Sequence, residues 1–266
     1  MKPKPPIQLF TQAERLWFFL DYDGTLANFA PTPDHVLLDT EIVDLLSRLV
    51  ERPDTRVSII SGRRLGHIQK LVPVPGVLLA GTYGIELQVW DGERLYQAEY
   101  VRIRPVLERV KPKWAGLVDG VGGFYLEDKD WAIAIHAARA EDEAAKNVLE
   151  QAARCVQEEE LDDTFRILSG YKFLELSSKL ADKGATIRYL LEKFSWPEAV
   201  LVYIGDDDKD ERAFRVINET GGISIVVSTD EERETAAQYQ LRNPEEVREL
   251  LWEVAGGKKT EGRRQR

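Results

Sequence analysis

The acids of this chain gather at two places where they can do chemistry together. Asp21 and Asp23 stand one residue apart in Asp21-Tyr22-Asp23-Gly24-Thr25, directly after the apolar run Leu16 to Leu20. Asp206, Asp207, Asp208 and Asp210 crowd into Gly205-Asp206-Asp207-Asp208-Lys209-Asp210, directly after the most apolar run of the chain, Ala199 to Ile204. Carboxylates packed this densely repel one another unless a cation sits among them. Hard oxygen donors with no His or Cys beside them suit Mg2+ better than zinc or copper. Asp21, Asp23, Asp206, Asp207 and Asp210 are therefore candidate metal ligands, or groups that orient those ligands.

Two further residues extend the set. Ser61 ends the run Arg56 to Ile60 and, with Gly62 and Arg63, offers a hydroxyl and backbone N–H groups suited to a phosphoryl oxygen. Lys183, in Ala181-Asp182-Lys183-Gly184, adds a cation. Each feature has a plainer use. Asp and Gly are common turn formers, Asp207 and Asp208 suit a helix N-terminus, Ser61 can cap the next helix, and a lone lysine is ordinarily solvated. The order of all four along the chain, three at strand ends and one opening a helix, points to a single site.

The elements that must position these residues follow from hydrophobic spacing. Buried strands are expected at Leu16 to Leu20, Arg56 to Ile60, Val77 to Ala80 and Ala199 to Ile204, with an alternating strand at Ile85 to Val89 and a last strand at Ile223 to Val227. Helices are expected at Glu41 to Val50, Arg64 to Leu71, Ala185 to Phe194 and Asp210 to Asn218. Strands alternating with helices imply a parallel sheet with right-handed crossovers, and ligands bind at the carboxyl ends of such strands. Asp21, Ser61 and Asp206 should thus share one edge. Between these portions the texture changes. A helix at Val106 to Trp114 precedes strands at Gly123 to Glu127 and Trp131 to His136, joined by the turn Asp128-Lys129-Asp130. A helix from Glu141 to about Glu158 precedes strands at Phe165 to Leu168 and Lys172 to Leu176, with Ser169-Gly170 as the turn. The expected class is α/β, a doubly wound parallel-sheet (Rossmann-like) core over 12–101 and 181–256, with an inserted α/β cap domain over 102–180. Residues 1–11 and 257–266 are expected to be flexible tails.

Composition excludes several classes. A hydrophobic fraction of 43% and a charged fraction of 31% over 266 residues describe an ordinary globular protein. A net charge of -10 opposes nucleic acid, whose binding needs many Lys and Arg. No run approaches the ~18 apolar residues that span a bilayer, and the N-terminal MKPKPPIQ lacks the apolar centre of a secretory signal, so a cytoplasmic location without membrane partners is expected. The single cysteine, Cys155, falls on an amphipathic helical pattern and reads as a packing residue.

With DYDGT, SGR, DKG and GDDDKDE in this order, and an insertion between the second and third, the chain resembles the haloacid dehalogenase superfamily of phosphohydrolases. Within it the chain is most similar to trehalose-6-phosphate phosphatases, which carry a cap domain in the same place with an E-x-K turn and an H-x-x-R segment. Those read here Glu127-Asp128-Lys129 and His136-Ala137-Ala138-Arg139, and Phe173-Leu174-Glu175-Leu176 stands where that family has another glutamate-bearing strand. Many members of that family have a His-Gly after the third core strand where this chain has Thr82-Tyr83-Gly84, and the family's usual tyrosine between His and Arg is alanine here.

The resemblance implies Mg2+-dependent hydrolysis of trehalose 6-phosphate through an aspartyl-phosphate. Asp21 would be the nucleophile and Asp23 the acid and base, kept partly protonated by neighbouring negative charge. Ser61 and Lys183 would clamp the phosphoryl oxygens, and Gly24 and Thr25 would shape the loop against the phosphate. Mg2+ would be held by Asp21, the Asp23 carbonyl and Asp206, with Asp210 or Asp207 behind them. Closure of the cap would exclude water, and Glu127, Lys129, Arg139 and Glu175 would take sugar hydroxyls. Mannosyl-3-phosphoglycerate or sucrose phosphate as substrate, a phosphomutase, and a phospho-receiver module are the competing readings. A receiver module needs neither Asp23 nor an inserted domain.

Overall fold

The computed structural model describes residues 2–28, 37–159 and 161–256. In chain order the elements are α1 (Ile7–Gln12), β1 (Leu16–Leu20), α2 (Thr40–Glu51), β2 (Thr55–Ile60), α3 (Leu65–Leu71), β3 (Val77–Gly81), β4 (Glu86–Gln88) and β5 (Arg94–Tyr96). They continue with α4 (Tyr100–Val118), β6 (Tyr125–Asp128), β7 (Ala132–His136), α5 (Asp142–Gln157), β8 (Phe165–Gly170) and β9 (Phe173–Ser178). The chain closes with α6 (Lys183–Lys193), β10 (Val200–Gly205), α7 (Glu211–Glu219), β11 (Ile223–Val227), β12 (Tyr239–Leu241) and α8 (Pro244–Val254). Two compact units result: Met1–Leu95 with Asp182–Arg266, and Tyr96–Ala181.

Successive side chains of a strand point to opposite faces, so a strand that is apolar at every position must be covered on both. β1 is buried throughout and shows the consequence. Leu16, Phe18 and Leu20 enter a core with α2, α3 and α8, while Trp17 and Phe19 enter a second core with α6 and α7. The sheet between these layers has the order β12-β11-β10-β1-β2-β3-β4-β5. Pairing is parallel from β12 to β3, and β4 then runs antiparallel to β3. Sequence order reverses on either side of β1, which makes the carboxyl ends of β1, β2 and β10 a topological switch point. This is the doubly wound α/β architecture that the alternation of elements implied.

The second unit is a four-stranded antiparallel sheet of order β6-β7-β9-β8. Ile103, Leu107, Val110 and Trp114 recur at helical spacing and bury one face of α4, which carries Pro105 and Pro112 in its interior. That buried face sustains helix across two positions that supply no backbone N–H, and the helix is longer than the Val106 to Trp114 expected.

Other expectations are also corrected. The hairpin between β8 and β9 turns at Tyr171-Lys172 rather than at Ser169-Gly170, because Gly170 pairs with Phe173 and Lys172 takes the left-handed conformation at φ 51. β11 is not the last strand, since β12 follows it and α8 closes the unit. The N-terminal segment expected to fray carries α1, whose Phe10 is fully buried and packs edge-to-face on Phe18 at 6.1 Å between centroids. The tail 257–266 lies outside the described residues. No helix among the described residues is long and apolar enough to cross a membrane.

Phe18 couples α1 to the central strand, and Phe18→Ala should cost about 3–5 kcal/mol of unfolding free energy. Urea denaturation would show this as a lower midpoint with an unchanged slope.

Candidate active site

Residues that follow neighbouring parallel strands in register must emerge side by side. Leu20 is paired with Ile59 of β2 and with Ile204 of β10. Asp21, Ser61 and Asp206 therefore leave the sheet at one edge, and the Asp21 N–H still donates to the Ile204 carbonyl at 2.9 Å. Lys183 arrives from another direction as the first residue of α6, whose N-cap Asp182 accepts from Ala185 N–H at 2.8 Å. Asp21, Ser61 and Lys183 are all buried, and so are Thr25 and Asp210.

Asp210 organises this edge. Its Oδ1 accepts from the Tyr203 hydroxyl at 2.5 Å and from Lys183 Nζ at 2.6 Å, and its Oδ2 accepts from the backbone N–H groups of Asp206 and Asp207, each at 2.9 Å. Four donors occupy its two oxygens. Gly205 makes room for them, because a Cβ there would lie 2.3 Å from the Asp210 carboxyl carbon. Lys183 Nζ also reaches Asp21 Oδ2 at 3.0 Å, so one ammonium bridges two buried carboxylates. Asp206 accepts from the Thr25 hydroxyl at 3.0 Å, tying the loop after β10 to the loop after β1. Asp207 caps its own turn by accepting from Lys209 N–H at 2.8 Å. Asp208 is fully exposed and pairs with Arg233 at 3.2 Å.

Asp21, Asp206 and Asp210 each bring a carboxylate oxygen to within 4.8 Å of the others. Lys183 is their only buried cationic partner among the described residues, so the group carries an excess of negative charge. Burial pushes the Asp21 carboxyl well above its ordinary range; Lys183 opposes this, and Asp210, Asp206 and Asp207 add to it. Burial, followed by the charge of Asp210, pushes Asp206 up to about 7. Burial also works against the Lys183 ammonium, but Asp21 and Asp210 outweigh it and hold Lys183 firmly protonated. Tyr203 is raised by burial and by Asp210, and so stays a donor.

The surroundings of Asp23 differ from expectation. Instead of crowding acids, Arg63 faces it, with Nε to Oδ2 and Nη2 to Oδ1 both at 2.7 Å. Arg63 was expected beside Ser61 and Gly62 as a substrate ligand, yet its guanidinium is committed to Asp23 and also touches His67 Nδ1 at 3.2 Å. Gly24 takes φ 80 in the tight loop that follows, where its N–H donates to Ala27 at 2.7 Å.

Three supporting residues escaped the sequence reading. Tyr203 sits inside an aliphatic strand, and its hydroxyl, which had to find a partner once buried, was the available signal. Arg233 donates to the Asp206 carbonyl, and Arg248 to the Leu26 carbonyl at 2.7 Å. Neither arginine has a local sequence pattern that marks it.

The second unit holds its own polar group. Register places Glu127, Ala134 and Glu175 in one row across β6, β7 and β9, so both glutamates share a face. Lys129 Nζ lies 2.7 Å from Glu175 Oε2 and 3.9 Å from Glu127 Oε2, and His136 Nε2 lies 2.9 Å from the same Glu127 oxygen. Glu175 is fully buried, yet its Oε1 has no hydrogen-bond partner among the described residues. Arg139 is exposed beyond β7 and stands apart from these contacts.

A family model described as trehalose-phosphatase matches residues 19–245. A trehalose 6-phosphate phosphatase of Zea mays is 28% identical over 95% of this chain and 73% of its own length. A trehalose-phosphate phosphatase of Mycobacterium ulcerans is 30% identical over 92% of this chain. The chain spans 62% of that mycobacterial protein. Among solved structures, the C-terminal domain of the Candida albicans trehalose-6-phosphate phosphatase superposes with a TM-score of 0.83 over 97% of this chain and 99% of that one. At 21% identity, this is a likeness of fold.

Removing the Asp210 carboxylate strands the Tyr203 hydroxyl and two backbone N–H groups, and leaves Lys183 with Asp21 alone. Asp210→Ala should therefore cost about 3–5 kcal/mol of unfolding free energy, read in urea, as expected when one partner of a buried pair is lost.

Proposed function

The chain belongs to the trehalose-phosphatase family, and on that premise we propose that it is a phosphoric monoester hydrolase that releases phosphate from trehalose 6-phosphate through an aspartyl-phosphate on Asp21. The observation that supports this most is the meeting of Asp21, Ser61, Lys183 and Asp206 at one edge of the parallel sheet. These are the parts phosphoryl transfer needs: an attacking oxygen, donors for the transferred oxygens, and compensation for dispersed negative charge.

The donor set fits a hard divalent cation. Asp21 and Asp206 bring oxygens together in a group whose negative charge a single buried ammonium does not balance, whereas Asp210 has its lone pairs filled by donors and serves to orient the others. Asp21, the backbone carbonyl of Asp23 and Asp206 would hold Mg2+, whose contribution is to neutralise charge on the phosphoryl oxygens. Lys183 holds Asp21 by one oxygen and leaves the other for in-line attack. The Ser61 hydroxyl and the Gly62 N–H, with Lys183, clamp the phosphoryl group. Asp23 gives a proton to the departing sugar oxygen and then takes one from water. To do so it must part from Arg63, whose two-pronged contact occupies both of its oxygens. Splitting the hydrolysis across a covalent intermediate replaces one difficult displacement by two easier ones.

For the inserted unit we propose a cap role in which Glu127, Lys129 and Glu175 bind sugar hydroxyls. The orphan Glu175 Oε1 supports this, since a buried carboxylate oxygen is costly until a donor meets it and a polyol is rich in donors.

Phosphate release should be fast with trehalose 6-phosphate, need Mg2+, and fall by at least ~100-fold in kcat/KM with glucose 6-phosphate, sucrose 6-phosphate and mannosyl-3-phosphoglycerate. A preference for any of those three would overturn the substrate assignment. Asp21→Asn should abolish turnover with an unchanged circular dichroism spectrum; near-normal activity would remove Asp21 as nucleophile.

The cation can be tested without turnover. In the metal-free protein Asp206 titrates at about 7, against ~4 in the unfolded chain, so between those values the folded state holds the extra proton and loses stability as pH rises. Mg2+ takes the place of that proton. The gain in Tm on adding MgCl2 should therefore be larger at about pH 8 than at about pH 5.5, and a gain that shrinks with rising pH would argue against a cation at this edge.

A further inference from the structure

The loop after β3, at the edge where the acids gather, is strained. Thr82 and Tyr83 take consecutive left-handed conformations, at φ 48 and 56, although neither is glycine. Both are buried. Such a backbone persists only where its surroundings hold it, and it tends to occur at functional sites. Three hydrogen bonds do the holding. Thr82 N–H donates to the Arg63 carbonyl at 2.7 Å, Tyr83 N–H to the Ser61 carbonyl at 2.8 Å, and the Thr186 hydroxyl to the Tyr83 carbonyl at 2.8 Å. Two of these acceptors flank Gly62, so the strained loop grips the backbone of Ser61-Gly62-Arg63 from both sides.

The Tyr83 ring completes the grip. A Cβ placed on Gly62 would lie 2.8 Å from Cε1, Cζ and the hydroxyl oxygen of Tyr83, so Gly62 rests directly against the ring and no larger residue fits without moving it. Lys209 Nζ stands 5.5 Å from the ring centroid and 3.8 Å from Asp207 Oδ2, which joins the ring to the acidic loop after β10. The glycine is needed here because of the tyrosine.

We propose that Tyr83 is a positioning residue for phosphate binding: its ring is the wall that sets the place of the Gly62 backbone, and thereby the aim of the Gly62 N–H at a phosphoryl oxygen, the N–H groups of Ser61 and Arg63 being already given to the Ala80 carbonyl and the Ser61 hydroxyl. The inference rests on the reading of Ser61 and Gly62 as a phosphoryl clamp. It assigns no contact between Tyr83 and the sugar.

A double-mutant cycle between the two residues tests it. Affinity for orthophosphate in MgCl2, by titration calorimetry, and Tm are measured for the wild type, Gly62→Ala, Tyr83→Gly and the double variant. Gly62→Ala should weaken orthophosphate by about tenfold or more, because the new methyl collides with the ring, and Tyr83→Gly should weaken it by about threefold to tenfold, because the wall is gone. The double variant should bind as Tyr83→Gly does and not as the product of the two losses, since the collision partner is absent. A double variant as weak as that product, or a Tyr83→Gly variant with wild-type affinity and only a lower Tm, would overturn the proposal. The same cycle separates it from the substrate assignment. A wild type that binds orthophosphate with these ratios but does not hydrolyse trehalose 6-phosphate keeps the positioning role and loses the substrate. A wild type that binds no orthophosphate loses the clamp and the proposal with it.

Discussion

Buried negative charge at the carboxyl edge of the sheet is the constraint around which the first unit is arranged. Asp21 and Asp210 are buried and Asp206 half-buried where the three approach one another, and one ammonium, Lys183, lies between two of them. Desolvating carboxylates is costly, and their mutual repulsion adds to that cost. The fold answers with donors. Tyr203 points its hydroxyl back from within β10, Gly205 gives up its side chain so that the Asp210 carboxylate can reach two backbone N–H groups, and Thr25 crosses from the neighbouring loop to Asp206. Asp210 is thereby nearly saturated, whereas Asp21 and Asp206 retain acceptor capacity. The same contacts that make the edge tolerable therefore divide its acids into one that braces and two that can bind.

Asp23 lies just outside this group and is treated differently. Arg63 grips both its oxygens, and Arg63 is fixed in turn by the loop of β3, whose Thr82 N–H bonds to its carbonyl. A carboxylate held in this way has both oxygens occupied by N–H donors, so neither is open to another partner until the pair parts. Gly62, Tyr83 and Arg63 are joined by these contacts, so a change in the loop of β3 reaches both Gly62 and the partner of Asp23.

Much of this was legible in the sequence because the informative elements are the buried ones. β1 and β10 were readable as unbroken apolar runs, and a strand covered on both faces has no other pattern available to it. Once strands were recognised, the motif residues at their ends had only one edge to share. What escaped was held by tertiary packing with little local signature. β5 and β12 are three residues each, with too few positions to show a period, and α1 is six residues stabilised by burying Phe10. The turn at Tyr171-Lys172 was hidden by a more turn-like Ser-Gly pair beside it, and register rather than composition decided between them. The partner of Asp23 was misjudged for a similar reason. Neighbouring acids are visible along the chain, but a guanidinium 40 residues away is visible only after β1 and β2 pair.

The inserted unit meets the cost of buried charge in its own way. One face of its sheet is apolar and covered by α4 and α5, while the other carries Glu127, Glu175 and His136 at positions where the alternation puts side chains on the same side. Lys129, from the turn between β6 and β7, lies across both glutamates, and His136 adds a contact to Glu127. A salt-bridged pair this deeply buried contributes little net stability, since desolvation consumes most of the attraction, so stability alone does not account for its presence. That cost is least offset at Glu175 Oε1, a buried carboxylate oxygen with no hydrogen-bond partner among the described residues.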